Sequence, residues 1–250
     1  MTRALLPALL LPLLACAHGP NAKDRKTADI HHDLGVEALR AGRAPEALKE
    51  FEAAIAADPD FAEAHRGRGL VLDLGFGRRD EAEKAYRRAL ALRSSYPEAQ
   101  NDLGQLLART GRYDEAIAAF DAALDDTSYR EPFVARCNKG QALHRSGRHP
   151  EGLAELRACV TLAPRYCKGR RELGRAYLDD GRTKEAVEEL ESYARTCDKT
   201  ADAHLQLGLA RMRAGDVPAA REAFERCAAL EAGAESAVGD ECRRSLALLE

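Results

Sequence analysis

Asn101-Asp102-Leu103-Gly104-Gln105-Leu106-Leu107-Ala108-Arg109-Thr110-Gly111-Arg112-Tyr113-Asp114-Glu115-Ala116-Ile117-Ala118-Ala119-Phe120 is the stretch that decides the fold. Leu103 and Leu107 stand four apart and form one apolar stripe on a first helix. Gly111-Arg112 ends that helix, because a glycine there can take the left-handed backbone of a C-cap. Ile117, Phe120 and Leu124 supply the stripe of a second helix that runs back along the first. Two antiparallel helices approach closely only where small residues face each other, which accounts for Gly104 and Ala116 at the crossing. A hairpin this short leaves apolar surface on both flanks, so it needs neighbours of its own kind.

The neighbours are present on either side. Leu34-Gly35 is followed by Ala47, Phe51, Ala54 and Pro59; Leu173-Gly174 by Ala186 and Leu190; Leu207-Gly208 by Ala220 and Phe224. Weaker copies fill the gaps with Gly69, Leu72, Ala82, Tyr86 and Ala89, and with Gly140, Leu143, Leu156 and Pro164. Gly42-Arg43, Gly147-Arg148, Gly181-Arg182 and Gly215-Asp216 repeat the helix-ending turn. These offsets resemble those of the 34-residue tetratricopeptide repeat. The resemblance implies an all-α, right-handed superhelical solenoid of six repeats. They fall at about residues 28–61, 62–96, 97–130, 133–166, 167–200 and 201–234, with a capping helix over 235–249.

The period is broken twice. The second repeat carries one extra residue in Gly75-Phe76-Gly77-Arg78-Arg79-Asp80, which places Phe76 in an exposed loop. There it either meets a partner or folds back on the neighbouring helix. Two residues are added around Tyr129-Arg130-Glu131-Pro132, between the third and fourth repeats.

Composition agrees with helices: Ala and Leu dominate the apolar share of 45%, Trp is absent, and 32% of the residues are charged. A formal charge of −3 with acids and bases interspersed offers no basic stripe for nucleic acid or for an anionic membrane surface. The first residues are a different object. Arg3 precedes the apolar stretch Ala4 to Leu14, which ends in Leu13-Leu14-Ala15-Cys16 and reads as an export signal over residues 1–15. It falls short of the ~20 apolar residues that a membrane-spanning helix needs. The Leu-Leu-Ala-Cys ending resembles the lipobox of bacterial lipoproteins. That implies a diacylglyceryl group on the Cys16 thiol and an N-terminal acyl chain such as palmitate, an anchor that binds the membrane essentially permanently. Ala17, in place of Asp, implies the outer membrane, periplasmic face. The alternative is an ordinary secretory signal in which Cys16 falls by chance. Without residues 1–15 the formal charge becomes about −4. The polar stretch 16–27 reads as a tether, with about 35–40 Å of reach at full extension.

The run from Asn101 to Ala116, the joint Tyr129-Arg130-Glu131-Pro132 and the following Ala135-Arg136-Cys137-Asn138-Lys139-Gly140 resemble the type IV pilus pilotin lipoproteins, the PilF, PilW and Tgl group. That group shares a lipobox, six repeats and an irregular joint after the third. The resemblance implies an adaptor that helps the pilus secretin reach or assemble at the outer membrane. It also implies a protein partner and a lipid-anchored monomer, with no nucleic acid and no small-molecule substrate.

Six cysteines follow Cys16, and in an exported chain an even number invites disulfides. Placed on the repeat register, Cys137 and Cys159 stand opposite each other across one hairpin, Cys167 and Cys197 across the next, and Cys227 and Cys242 flank the last turn. The expected pairs are 137–159, 167–197 and 227–242; Cys159–Cys167 is the competitor, and free thiols used as small core residues are the alternative. No Cys-x-x-Cys occurs, and His144 and His149 have no ligand-like spacing with the cysteines, so no metal site or cofactor is expected.

No phosphate loop, nucleophile elbow or His-Glu-x-x-His sequence appears, and the expectation is a chain that is not an enzyme. His31-His32 point about 100° apart on a helix and do not converge. Glu185, Glu188, Glu189 and Glu191 read as a solvated face. By resemblance to other tetratricopeptide proteins, the stacked first helices line a concave groove. His32, Arg66, Asn101, Gln105, Asn138, Gln141, Arg171 and Arg175 stand at its lining positions. The family's carboxylate clamp would need bases where Glu98 and Asp102 stand, and so is absent. A polar, mixed groove suits a partner's extended or helical peptide.

Overall fold

The computed structural model describes residues 21–232 and 236–249, all of whose regular elements are helical. The expected signal sequence and Cys16 lie outside the described residues. Thirteen helices follow in order: α1 (Ala22–Arg40), α2 (Ala44–Ala57), α3 (Ala62–Leu70), α4 (Arg79–Leu92), α5 (Pro97–Arg109), α6 (Tyr113–Asp125), α7 (Pro132–Arg145), α8 (His149–Leu162), α9 (Cys167–Asp179), α10 (Thr183–Thr196), α11 (Ala201–Arg213), α12 (Val217–Leu230) and α13 (Ala237–Ala247). They pack as six antiparallel hairpins, and α13 closes the end of the stack against α12 and α11.

The first helix begins inside the stretch read as tether. Asn21 accepts hydrogen bonds from the Lys23 and Asp24 amides, and the Asp24 carboxylate accepts the Asn21 amide. This capping box satisfies the exposed donors of the first turn and carries helix back to Ala22. Residues 22–27 are therefore helical, not tether.

The crossings show why glycine stands where it does. A Cβ on Gly104 would lie 2.6 Å from Cε1 of Phe120, and one on Gly208 would lie 2.4 Å from Cε1 of Phe224. Both rings are fully buried. The aromatic ring of each second helix thus occupies the space that a side chain on the first would need. At the hairpin turns, Gly42, Gly111, Gly147, Gly181 and Gly215 all adopt positive φ.

The extra residue of the second repeat is absorbed inside the helix, not in the loop. Val71–Gly75 forms a π-helical turn directly after α3, and Gly77 then takes the left-handed cap with φ 66°. The wider turn buries Val71, Leu72 and Asp73 and leaves Leu74 and Phe76 exposed. At the second irregularity the chain between α6 and α7 folds on itself. Asp126 accepts from the Ser128 amide at 2.9 Å, from the Ser128 hydroxyl at 2.6 Å and from the Ser95 hydroxyl. Tyr129 is buried with Ala123 and Ala135, and Pro132 opens α7.

Three disulfides lie in the C-terminal half. Cys137–Cys159 links α7 to α8 with Cα atoms 5.3 Å apart, Cys167–Cys197 spans the α9–α10 hairpin at 6.1 Å, and Cys227–Cys242 ties α12 to α13 at 6.0 Å. The competing Cys159–Cys167 pairing is not formed.

Of the α10 glutamates only Glu189 is withdrawn from the solvated face expected of them, its side chain 17% accessible against 40% for Glu185 and 36% for Glu191. Glu189 is held by Arg170 at 2.6 Å, Glu191 by Arg211 at 3.1 Å and Glu185 by Arg182 at 2.6 Å. Only Glu188 is exposed without such a partner. Arg170 and Arg211 come from α9 and α11, between which α10 is packed, whereas Arg182 caps α10 itself.

Candidate functional site

Successive first helices touch directly, α1 with α3, α5 with α7, α7 with α9 and α9 with α11, whereas successive second helices have no comparable contact. The stack therefore curves with its first helices on the inside. Along that concave side, residues about one repeat apart in sequence become neighbours.

Arg66 on α3 donates from Nε to Asp102 Oδ2 on α5 at 2.6 Å and lies over the Tyr96 ring. Burial works against the Arg66 charge, but Asp102 and Tyr96 outweigh it and raise its pKa further. Burial pushes the Asp102 carboxyl above the ordinary carboxylate range, and Arg66 pulls against that shift. Asp73, from the π-helical turn, pairs with Arg109 across the same joint. Asn138 on α7 donates to Asn101 Oδ1 on α5 at 2.9 Å, and its own carbonyl accepts from Lys168 Nζ on α9 at 2.9 Å. Gln141 donates to Glu172 at 2.6 Å; Arg171 donates to the other oxygen of the same carboxylate and reaches to 3.7 Å from Asp202. The Tyr193 hydroxyl completes the line with a bond to Asp202 at 3.1 Å.

This polar ladder runs from repeat 2 to repeat 6. Arg66, Asn101, Asn138, Gln141 and Arg171 are brought together by the fold, and their hydrogen bonds are made largely to one another. Among the openings left along it is a cleft of about 430 Å³ at repeats 2 and 3, where Arg66, Asn101, Asp102 and Gln105 meet Tyr129 and Glu131. Arg175, exposed on α9, makes no ion pair among the described residues. His32, one repeat before Arg66, takes no part in the ladder's hydrogen bonds: its ring packs 5.8 Å from Phe51 and 5.2 Å from Phe61 and sits beside Asp33. Phe76 stands at the hairpin turn of repeat 2, 42% accessible, apart from the ladder.

The electrostatics divide the groove. At repeats 2 and 3 the cleft carries Glu98, Asp102 and Glu131 beside Arg66 and Arg130. Burial raises the Tyr129 phenol; Asp102, Glu98 and Glu131 add to the shift and Arg66 opposes it. At repeats 4 and 5 the sign reverses. Burial lowers the Lys168 pKa against the pull of Glu172, and the nearby cations Arg171, Arg109 and Arg145 lower it further. Tyr129 was not among the groove residues expected from the sequence, because the lining positions are defined on helices and Tyr129 sits in the joint. Its position in the inserted Tyr-x-x-Pro turn was the available signal.

Comparison with known proteins agrees with this architecture. A family model described as tetratricopeptide repeat matches residues 32–75, 72–131 and 171–237, and a second of the same description matches 134–158. Mouse DnaJ homolog subfamily C member 3 is 22% identical over 241 residues, covering 91% of this chain and 48% of its own length. The human protein of that name is 24% identical over 219 residues, covering 82% and 43%. The chain thus spans about half the length of the curated relatives it matches. Among solved structures, PilW, described as a widely conserved type IV pilus biogenesis factor, superposes with a TM-score of 0.78 at 25% identity, covering 88% of this chain and 98% of that one. PilF of Pseudomonas aeruginosa superposes with a TM-score of 0.72 at 21% identity, covering 89% and 99%.

Proposed function

The chain belongs to the tetratricopeptide-repeat family, and from that premise we propose that it is a pilotin-like adaptor. On this reading it is held on the outer membrane through a lipid on Cys16 and promotes localisation or assembly of a type IV pilus secretin. The observation that carries the reading is that the likeness to PilW runs over nearly the whole of both chains. It therefore concerns the number and stacking of repeats and not one common hairpin.

The groove supports an adaptor role in its own terms. Its polar groups are already paired, so the concave surface is ordered before a partner arrives, and less entropy is lost on binding. The anionic cleft at Tyr129 and the cationic surface around Lys168, Arg171 and Arg175 suit an extended segment that carries bases at one end and acids at the other.

The test is a pull-down from envelope extract with the wild type and with Cys16→Ala, combined with deletion of the gene. Recovery of the secretin, and loss of its multimers on deletion while β-barrel proteins stay intact, are the expected results. Failure to recover the secretin with either form sinks the proposal. A second reading, a scaffold for β-barrel assembly or for an envelope enzyme, is favoured by the self-paired groove, which commits to no single client. Its signature is the reverse, loss of β-barrel proteins with secretin multimers intact.

A further inference from the structure

Away from the ladder, three ligand-type side chains from three elements meet at one point. His144 lies in the last turn of α7, His149 is the first residue of α8 and Asp180 is the C-cap of α9. Asp180 Oδ1 is 3.0 Å from His144 Nε2 and 2.5 Å from His149 Nδ1. The two imidazole centroids are 4.3 Å apart, and the ligand atoms of all three residues lie within 4.8 Å of one another. We propose that this cluster is a binding site for a divalent transition-metal ion, zinc above others, that ties repeat 4 to repeat 5.

The donor set is the first argument. Two imidazoles and one carboxylate, with a fourth position open to solvent, is a set that zinc accepts in tetrahedral geometry. Bond lengths of about 2.0–2.2 Å put neighbouring ligand atoms roughly 3.3 Å apart in such a site, so the two contacts to Asp180 need to lengthen by about 0.3 and 0.8 Å. His149 has room for that movement because its side chain is 45% accessible, whereas His144 at 9% and Asp180 at 15% form a fixed floor. Charge is the second argument. The C-terminal ends of α7 and α9, with their partial negative charge, both converge here, against the single opposing N-terminus of α8. The guanidinium groups of Arg148 and Arg182, which flank the turns, are engaged by Glu151 and Glu185.

Sequence spacing hid the site, because the cysteines near His144 and His149 are taken up in disulfides and the third ligand lies 36 residues from His144, about one repeat further on. An ion here would fix the angle between repeats 4 and 5, the joint that the Asn138–Lys168 and Gln141–Glu172 bonds also cross.

The test uses the full-length chain in detergent, disulfides intact, freed of metal with a chelator and titrated with zinc by calorimetry at neutral pH. One saturable site per chain is expected, weakened at least about tenfold in His149→Ala and in Asp180→Asn. His204→Ala, which alters a histidine bonded only to the Asp198 carbonyl, is expected to leave it unchanged. Zinc should raise the melting temperature of the wild type and not of His149→Ala, whose exposed position allows it to keep the wild-type circular dichroism. Cobalt should give a visible absorption band in the wild type that His149→Ala loses. Absence of saturable zinc binding, or equal binding by wild type and His149→Ala, overturns the proposal and leaves a hydrogen-bonded His-Asp-His cluster only.

Discussion

Replacing Cys137 and Cys159 together with alanine is the perturbation whose size follows most directly from the structure. The bond closes a sequence separation of 22 residues. In the chain-entropy account a loop of that length contributes about 3 kcal/mol at 25 °C by restricting the unfolded chain. Alanine suits the vacated places, since Ala54, Ala89 and Ala123 hold the position equivalent to Cys159 in three other repeats and are fully buried. The loss is then chiefly that of the crosslink, plus about 1 kcal/mol for the space the sulfurs leave beside Gly169. A change of ~3 kcal/mol is more than a hundredfold in an opening equilibrium. Native-state hydrogen exchange read by mass spectrometry should show that loss of protection in residues 133–166 and, to a lesser extent, in the adjoining repeats. Repeats 1 and 2 should keep theirs, because each repeat is stabilised by its nearest neighbours. Protection of residues 133–166 within about threefold of the oxidised wild type would refute the entropic estimate. An equal loss in residues 28–61 would refute the nearest-neighbour argument.

Gly104→Ala puts a methyl 2.6 Å from the fully buried Phe120 ring; the overpacking should cost about 1–3 kcal/mol in urea unfolding. Arg66→Met leaves the Asp102 charge buried, with an expected loss of about 3–5 kcal/mol, most of which Asp102→Leu in the same chain should restore; a double-mutant cycle measures it. For Asp180 the folded pKa lies below the unfolded one, so the native state binds fewer protons. Its stabilisation is present above the unfolded value of about 3.9 and is lost as pH falls through the folded pKa. The difference in melting temperature between wild type and Asp180→Asn should therefore vanish on acidification. Arg175→Glu, on an exposed side chain, should weaken partner capture by about tenfold at low salt without moving the melting temperature.

The repeat register was legible because glycine and aromatic residues at the crossings answer to a constraint within one hairpin. Gly104 and Phe120 are sixteen residues apart, and their clash is local. The turn glycines and the hairpin cysteines could be read for the same reason. The groove was legible only as positions. That Arg66 is taken by Asp102, or Gln141 by Glu172, depends on the joint between repeats, and these pairs are separated by 36 and 31 residues. The signal existed: Asp73 and Arg109, like His144 and Asp180, are also 36 apart, so a search for complementary residues about one period apart would have found them. That His32 packs its ring against Phe51 and Phe61 is likewise something no lining position records. The extra residue near Phe76 was placed in the loop because a π-helical turn leaves no mark in composition.

The two kinds of restraint act on different parts of the superhelix. Cys137–Cys159 and Cys167–Cys197 each lie inside a hairpin, so they stiffen repeats 4 and 5 chiefly as units, although the sulfurs of the first also pack beside Gly169 of the next repeat. The angle is held by what crosses the joint: Asn138–Lys168, Gln141–Glu172 and the contact of His144 with Asp180. The curvature of a solenoid is the sum of its joint angles, so groove width at repeats 4 and 5 answers to these polar contacts together with the apolar cluster of Leu153, Leu156, Leu173 and Tyr177 that spans the joint. At the irregular joint between repeats 3 and 4, Lys139 bridges Asp121 on α6 and Glu155 on α8 at 2.7 and 2.8 Å, and Asn101–Asn138 lies on the concave side. Reducing the disulfides should therefore loosen hairpins while a partner is still recognised, whereas breaking Gln141–Glu172 should change recognition while the hairpins stay folded.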